Sequence, residues 1–405
     1  MSIHTSPHRF IFITLVAITF ISPLANHMFI PAMPLVKQEF QIGDDLAFAT
    51  LSLTMMTMAF TSIVYGGISD EWGRKRVLLS GLALYTIGAE LCWFAQNIEM
   101  LLGGRILQGA GAGCGIVLAR AIARDVYGME KISAVIANLT AAYVLGPLLA
   151  PTIGAYLVGW EGWRFLFIPI SIIGLALIGV IYFTLPETHA PKREKPPFSA
   201  IVRNILSNYF QLMKVPRFSA YALMPGCLSG AFFANATASA FLARETLNLS
   251  TEMFGLWFLW MPAGFMLGNL ISGQIGNRLS IGFMTIGGSA LCLAIVVCQW
   301  FWNDSAGLSM ACIMIPGAAL GIGQGMCMPY AQTGAMRVNP AFAGSASGAV
   351  VFSQLFLAGA AEQTVGFISD DTLIPVLYVM FGFSITGLAA AIFAEISRGR
   401  NVSTT

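Results

Sequence analysis

Charge is what this sequence has least of. Only 10% of its 405 residues are Asp, Glu, Lys or Arg, against 57% hydrophobic. A soluble domain of this length needs more charge than that to cover its surface, so a water-solvated exterior is excluded over much of the chain. The 21 basic residues are scattered among short polar stretches and the net charge is only +2, which leaves no basic patch for nucleic acid. No Gly-Lys pair occurs anywhere, so a Walker-type phosphate loop, and ATP hydrolysis through it, is excluded. The seven cysteines (Cys92, Cys114, Cys227, Cys292, Cys298, Cys312 and Cys327) form no C-x-x-C and have no histidine beside them. All fall within apolar runs, where packing is the expected role, and no metal or cofactor is called for. Paired carboxylates and nucleophile motifs are also missing, so an enzyme is not expected.

What is present instead is apolar sequence in runs of about 20 residues, the length that crosses a hydrocarbon core of roughly 30 Å. Twelve such spans are predicted near 10–31, 47–68, 77–96, 100–122, 132–158, 163–185, 218–243, 252–274, 281–302, 307–330, 342–366 and 373–396. The first, "RFIFITLVAITFISPLA", has the look of a signal peptide, but the segments that follow make it the first anchor. Lys and Arg set the orientation. With the N-terminus in the cytoplasm, 17 basic residues fall inside, 3 outside (Lys37, Arg164 and Arg244), and Arg105 alone lies well within a span. Both termini are therefore expected to be cytoplasmic.

The longest polar segment, Pro186 to Phe218, divides the chain into an N-terminal six-helix bundle (1–185), a connector (186–217) and a C-terminal six-helix bundle (218–405). Within the connector Phe198, Ile201, Ile205, Tyr209 and Met213 recur at helical spacing. Two readings stand: a helix lying on the inner membrane surface, or a plain tether. Two six-span halves are the organisation of internal-repeat transporters, whose substrate sits between the halves near the midplane.

One short stretch is denser in charge than topology needs. "GGISDEWGRKRVLLSG", residues 66–81, carries five charges from Asp70 to Arg76. Arg74, Lys75 and Arg76 suffice to pin the turn to the inner face, which leaves Asp70 and the glycines Gly66 and Gly73 unexplained. Their spacing resembles the loop signature of the major facilitator superfamily between spans 2 and 3. "RILQGAGAG" in span 4, with Arg105, Gln108, Gly109 and Gly113, is similar to that superfamily's R-x-x-Q-G pattern. "LGPLLAPTIGAYL" in span 5, with Gly146, Pro147, Pro151 and Gly154, looks like the antiporter signature of its drug/proton exchangers. "GWEGWRFLF" and "LPET" flank span 6 as they do in the bicyclomycin/chloramphenicol-resistance (Bcr/CflA-like) branch. Two positions depart from the pattern: Glu71 stands where the family usually has Arg, and span 1 reads His27-Met28-Phe29-Ile30-Pro31 where relatives often read Asp-Met-Tyr-Leu-Pro. The usual membrane carboxylate of span 1 is therefore missing.

The resemblance implies an all-α membrane protein, twelve transmembrane helices in the major facilitator fold, in a bacterial inner membrane. It also implies a gating latch in which Asp70 pairs with Arg74 and Asp125 and faces the start of span 11. Residue chemistry adds the rest. An arginine within a span faces a cavity or a partner, because its insertion costs at least ~2.5 kcal/mol; Arg105 is the first site candidate. Glu90, at similar depth in span 3, is a possible partner for it. His27 is the histidine able to exchange protons near neutrality. Glu362 lies towards the outer end of span 11, where its carboxylate is expected to reach water. Span 5, with its glycines and prolines, is expected to bend and seal against a neighbour. Pocket candidates are Asn26, Phe29, Asn138, Tyr143, Phe232, Asn235, Trp257, Trp260, Gln324 and Tyr330, aromatic and amide groups suited to lipophilic cargo. The expected function is proton-coupled efflux of small, largely apolar compounds, as in multidrug or antibiotic resistance, by a monomer whose partners are the substrate, protons and lipid. A dedicated metabolite or siderophore carrier is the alternative.

Overall fold

A computed structural model describes residues 7–189, 198–276, 278–338 and 343–400. Lys192, Arg193 and Lys195 of the connector lie outside the described residues. Those described are almost entirely helical, with no strand among them. Ten helices are long and apolar enough to cross a membrane by length and hydropathy, and they include Asp44–Trp72, Trp163–Thr184 and Ile374–Ser397.

Spans 3 (Arg74–Trp93) and 5 complete a set of twelve long helical segments among the described residues. Spans 4 and 5 run together by hydrogen bonding, but Gly128 separates them with φ 67° and ψ 175°. That backbone conformation suits glycine and ends span 4 there. Gly73 does the same between spans 2 and 3, at φ 96°. Span 1 stops at His27, four residues earlier than hydropathy alone suggests. Beyond it the chain makes a 3-10 turn at Ile30–Ala32 and a short helix, Met33–Phe40. Pro31 and Pro34 lack the N–H donors that would continue the first helix. Span 10 runs to Val338, past the predicted 330. Span 8 is interrupted between Thr251–Phe258 and Trp260–Ile275, just ahead of Pro262.

Each half packs mainly on itself, span 1 on span 5 and span 3 on spans 4 and 6, then span 7 on spans 10, 11 and 12. The halves meet along span 2 against span 11 and span 5 against span 8. Span 7 is the most enclosed of the ten, 94% buried over its apolar window, whereas spans 6, 8 and 9 reach only 39% and span 11 33%.

The connector contains a helix, Phe198–Met213. Its Ile201 and Ile205 press on Gly67 of span 2 and its Tyr209 on Gly348 of span 11. Ile201, Ile205 and Tyr209 of the apolar stripe are thus taken by the protein, while Met213 of the same stripe, and Phe210, are exposed. The connector is therefore more than a plain tether: it carries a helix that docks on spans 2 and 11.

Candidate transport site

A cavity of about 120 Å³ lies between the halves, lined from spans 1, 2, 5, 7, 8, 10 and 11. Six sequence candidates meet there: Asn26, His27, Tyr143, Pro147, Phe232 and Gln324. Met55, Met58, Phe233, Phe265 and Met328 supply the apolar wall. The His27 ring stacks on Phe233 of the other half, centroids 5.4 Å apart and planes 17° apart. Gln324 Nε2 donates to Ser229 Oγ at 2.9 Å. Its Oε1, and both polar atoms of the Asn26 amide, are buried without a hydrogen-bond partner among the described residues. Buried amides are normally satisfied, so these two are placed to bond something that enters.

Arg105 lies beside this cavity rather than in its wall. It is fully buried, donates from Nε to the Thr50 carbonyl at 2.9 Å, and from Nη1 to Ala25 O and Gln108 Oε1, both at 2.6 Å. Its guanidinium sits 4.6 Å from the centre of the Phe29 ring. It therefore ties span 4 to spans 1 and 2, and the ion pair with Glu90 that similar depth suggests is replaced by these oxygens. Phe29 is accordingly a packing platform under a cation.

Glu362 is a further buried ionisable group, and the expectation that its place near a span end lets it reach water is overturned. Glu362 has no exposed surface. Its Oε1 accepts from Thr237 Oγ1 of span 7 at 2.7 Å, and its Oε2 has no hydrogen-bond partner among the described residues. Among the described residues, Arg105 of the opposite half is a cation whose charge reaches it. A sequence signal existed: Glu362 stands six residues before the helix end at Ile368, about 9 Å deep at 1.5 Å per residue, too far for a short side chain to reach water easily.

The two ends of the molecule differ. At the end remote from the termini, called distal here, the halves are closed. Phe48 of span 2 stacks on Phe241 of span 7 at 4.8 Å. Ser52 donates to Gln363 Oε1 at 2.5 Å and Gln363 Nε2 to Asp45 O at 3.0 Å. Lys37 bridges Asp44 at 2.6 Å and Glu245 at 2.8 Å. At the proximal end a cleft of about 490 Å³ separates Asp70, Arg74, Arg120 and Arg124 from Gly344, Ser345 and Gly348 at the start of span 11. There Arg74 pairs with Asp70 at 2.5 Å and with Asp125 at 3.1 Å, and donates to Ser69 at 2.5 Å. The three latch residues are thus joined, all within the first half, and the cleft keeps them from span 11.

Comparison with known proteins gives the family and the fold. The family model for the Major Facilitator Superfamily matches residues 15–362. The chain belongs to that superfamily. It is 24% identical to a bicyclomycin resistance protein homolog of Haemophilus influenzae, over 92% of each chain. It is 26% identical to multidrug resistance protein D of Escherichia coli, over 83% of each. Its fold matches a crystal structure of a bacterial homolog of the human lysosomal transporter Spinster, inward-facing and occupied, with TM-score 0.74, 15% identity and 97% coverage of both chains.

In this facilitator, span 5 has the close approaches its composition suggests. A side chain at Gly146 would strike Pro23, and one at Gly154 would strike the Met28 carbonyl, both of the span 1 segment. Pro151 is buried in the same span, and Thr152 donates to Gly255 O of span 8 at 2.8 Å. Five more pocket candidates lie elsewhere. Asn138 and Trp260 are exposed, and Trp257 is half-buried outside the cavity lining. Tyr330 donates to Gly276 O at the proximal end. Asn235 is buried but spent on Ile313 O and Gln299 inside the second half. Phe233 and Gln354, in contrast, line the cavity, and their place depended on which helix faces meet.

Proposed function

We propose that this facilitator is a proton-coupled exporter of small, largely apolar compounds, and that the structure represents its state open towards the cytoplasm. The observation that carries this reading is the inter-half cavity, aromatic and Met-rich with the unpartnered amides of Asn26 and Gln324. A few fixed polar groups in an apolar wall orient a lipophilic ligand without requiring it to be charged. Its volume of about 120 Å³ is below the roughly 300 Å³ of drug-sized sites, so loading accompanies movement of the halves. Among the described residues lining it no Lys or Arg occurs, which favours neutral cargo over the anionic metabolites of the alternative reading. The resistance proteins named above support the drug-like class.

With no Walker-type loop in the sequence, a gradient supplies the work. One charge crossing 100 mV yields ~2.3 kcal/mol, enough for roughly 50-fold accumulation by one proton per cycle. The 17-to-3 bias of basic residues supports cytoplasmic termini, so the proximal cleft opens inward. A reporter fused near Asp304 then reads periplasmic and one after Lys131 cytoplasmic. The deciding test is a screen of neutral lipophilic compounds in inverted vesicles under an imposed proton gradient. Uptake that collapses with the gradient supports the reading; uptake indifferent to it refutes the coupling.

A further inference from the structure

Neither half neutralises its buried ionisable group by itself. In the first half, Arg105 is met by two carbonyls and one amide oxygen, and its Nη2 is buried with no hydrogen-bond partner among the described residues. In the second, Glu362 has a single hydrogen bond from Thr237 and a bare, buried Oε2. A carboxylate withdrawn from water needs several bonds or a close cation to stay ionised. Glu362 has one neutral donor, and its cation belongs to the other half. Both groups lie beside the seam where span 2 closes on span 11, with Gly359 of span 11 resting on Ser52 O. The other charged groups on the elements packed against span 11 sit towards their ends: Asp44, Asp45, Asp70 and Glu71 on span 2, Arg217 before and Arg244 and Glu245 after the body of span 7, Arg337 on span 10, Glu395, Arg398 and Arg400 late in span 12, and Arg203 on the connector helix.

We propose that Glu362 is the proton-binding group of this transporter, entering the closed distal seam as the neutral acid and releasing its proton towards the central cavity against the charge of Arg105. The inference rests on the proton-coupled reading above and supplies the carboxyl that span 1 lacks at His27. When the distal end opens, Glu362 meets water and its ionised form is solvated. Closure strips that water away, so the seam shuts readily only on the protonated acid. Proton binding and distal closure are then linked, and the linkage changes the closed-to-open ratio by up to about tenfold per pH unit while the group titrates.

The test needs no substrate. Spin labels on L46C of span 2 and I368C of span 11, in a C298S background that removes the exposed cysteine, read the distal distance in purified protein. Wild type is expected to show a short distance in acid and a growing long-distance population in alkali. Glu362→Gln, a permanent mimic of the neutral acid, is expected to stay short throughout. A wild-type distance that ignores pH, or the same pH response in Glu362→Gln, overturns the proposal. Should Glu362→Gln fail to fold, Thr237→Val takes its place. Loss of the one donor to the ionised carboxylate is expected to enlarge the alkaline long-distance population, and an unchanged population overturns the proposal. A Glu362-dependent distal opening, found together with vesicle uptake indifferent to the gradient, would sink the exporter reading and leave this one standing. Undiminished gradient-driven uptake in Glu362→Gln would do the reverse.

Discussion

The two ends of the seam between the halves are held by different physics. The distal end closes by contact: ring on ring at Phe48 and Phe241, glycine on backbone at Gly359, and amide to hydroxyl at Gln363 and Ser52. The proximal end concentrates its charges in the first half, where Arg74 gathers Asp70, Asp125 and Ser69, and faces a cleft. Short-range packing vanishes within an ångström or so of separation, so a seal built from it is either made or broken. An ion network contained in one half does not itself hold the two halves together. The comparison teaches that the charged loop is not the seal in this state, although it carries the plainest motif in the chain.

Substitutions at four positions sharpen that contrast, the largest effect first. Gly359→Leu should disable the distal end, because a Cβ there lies 2.8 Å from the Ser52 carbonyl and backbone cannot step aside. Transport is expected to fall more than tenfold, with distal spin-label distances held long; a normal distance distribution would show that the seam tolerates bulk. Arg105→Ala should come next. It strips the donor from three buried acceptors and is expected to lower stability by about 2–4 kcal/mol, seen as a reduced Tm. Arg105→Lys should recover little of this, since a point charge cannot serve three separate acceptors with a planar fork.

Asp70→Asn addresses the proximal end. Asp70 is 53% exposed while its partner Arg74 is 2% exposed, and Asp125 and Ser69 still hold the arginine, so Tm should not move. Exchange is expected to slow several-fold, and wild-type rates in a normally inserted protein would remove Asp70 from the gate. Lys37→Ala should matter least. Its bridges to Asp44 and Glu245 are partly solvated, and pairs of that kind contribute about 0–1 kcal/mol. A Tm drop as large as that of Arg105→Ala would mean that the distal rim depends on charge after all.

Much of this architecture is written locally. Each apolar run declares a span by its own length, the Arg74-Lys75-Arg76 cluster marks a turn, and Pro147 and Pro151 mark span 5 as distinctive, all without knowledge of a neighbour. Asn26, His27 and Gln324 were legible as candidates because polar groups are rare in spans and therefore face something. Trp260 and Asn138 misled for a related reason: an aromatic or amide in a helix is equally at home on an outer face, and composition does not say which face turns inward.

Hydropathy, charge bias and the loop motif, all properties of contiguous segments in a bilayer, determined the membrane class and the family, and raised the expectation of twelve spans in two halves. Tertiary structure alone decided that Arg105 is bound by the Thr50 and Ala25 carbonyls rather than Glu90, that the connector helix docks on Gly67 and Gly348, and that Glu362 is sealed from water beside Thr237. The reason is physical: desolvation and pairing depend on what other helices bring alongside, and for Glu362 that neighbour is Thr237, 125 positions earlier in the chain.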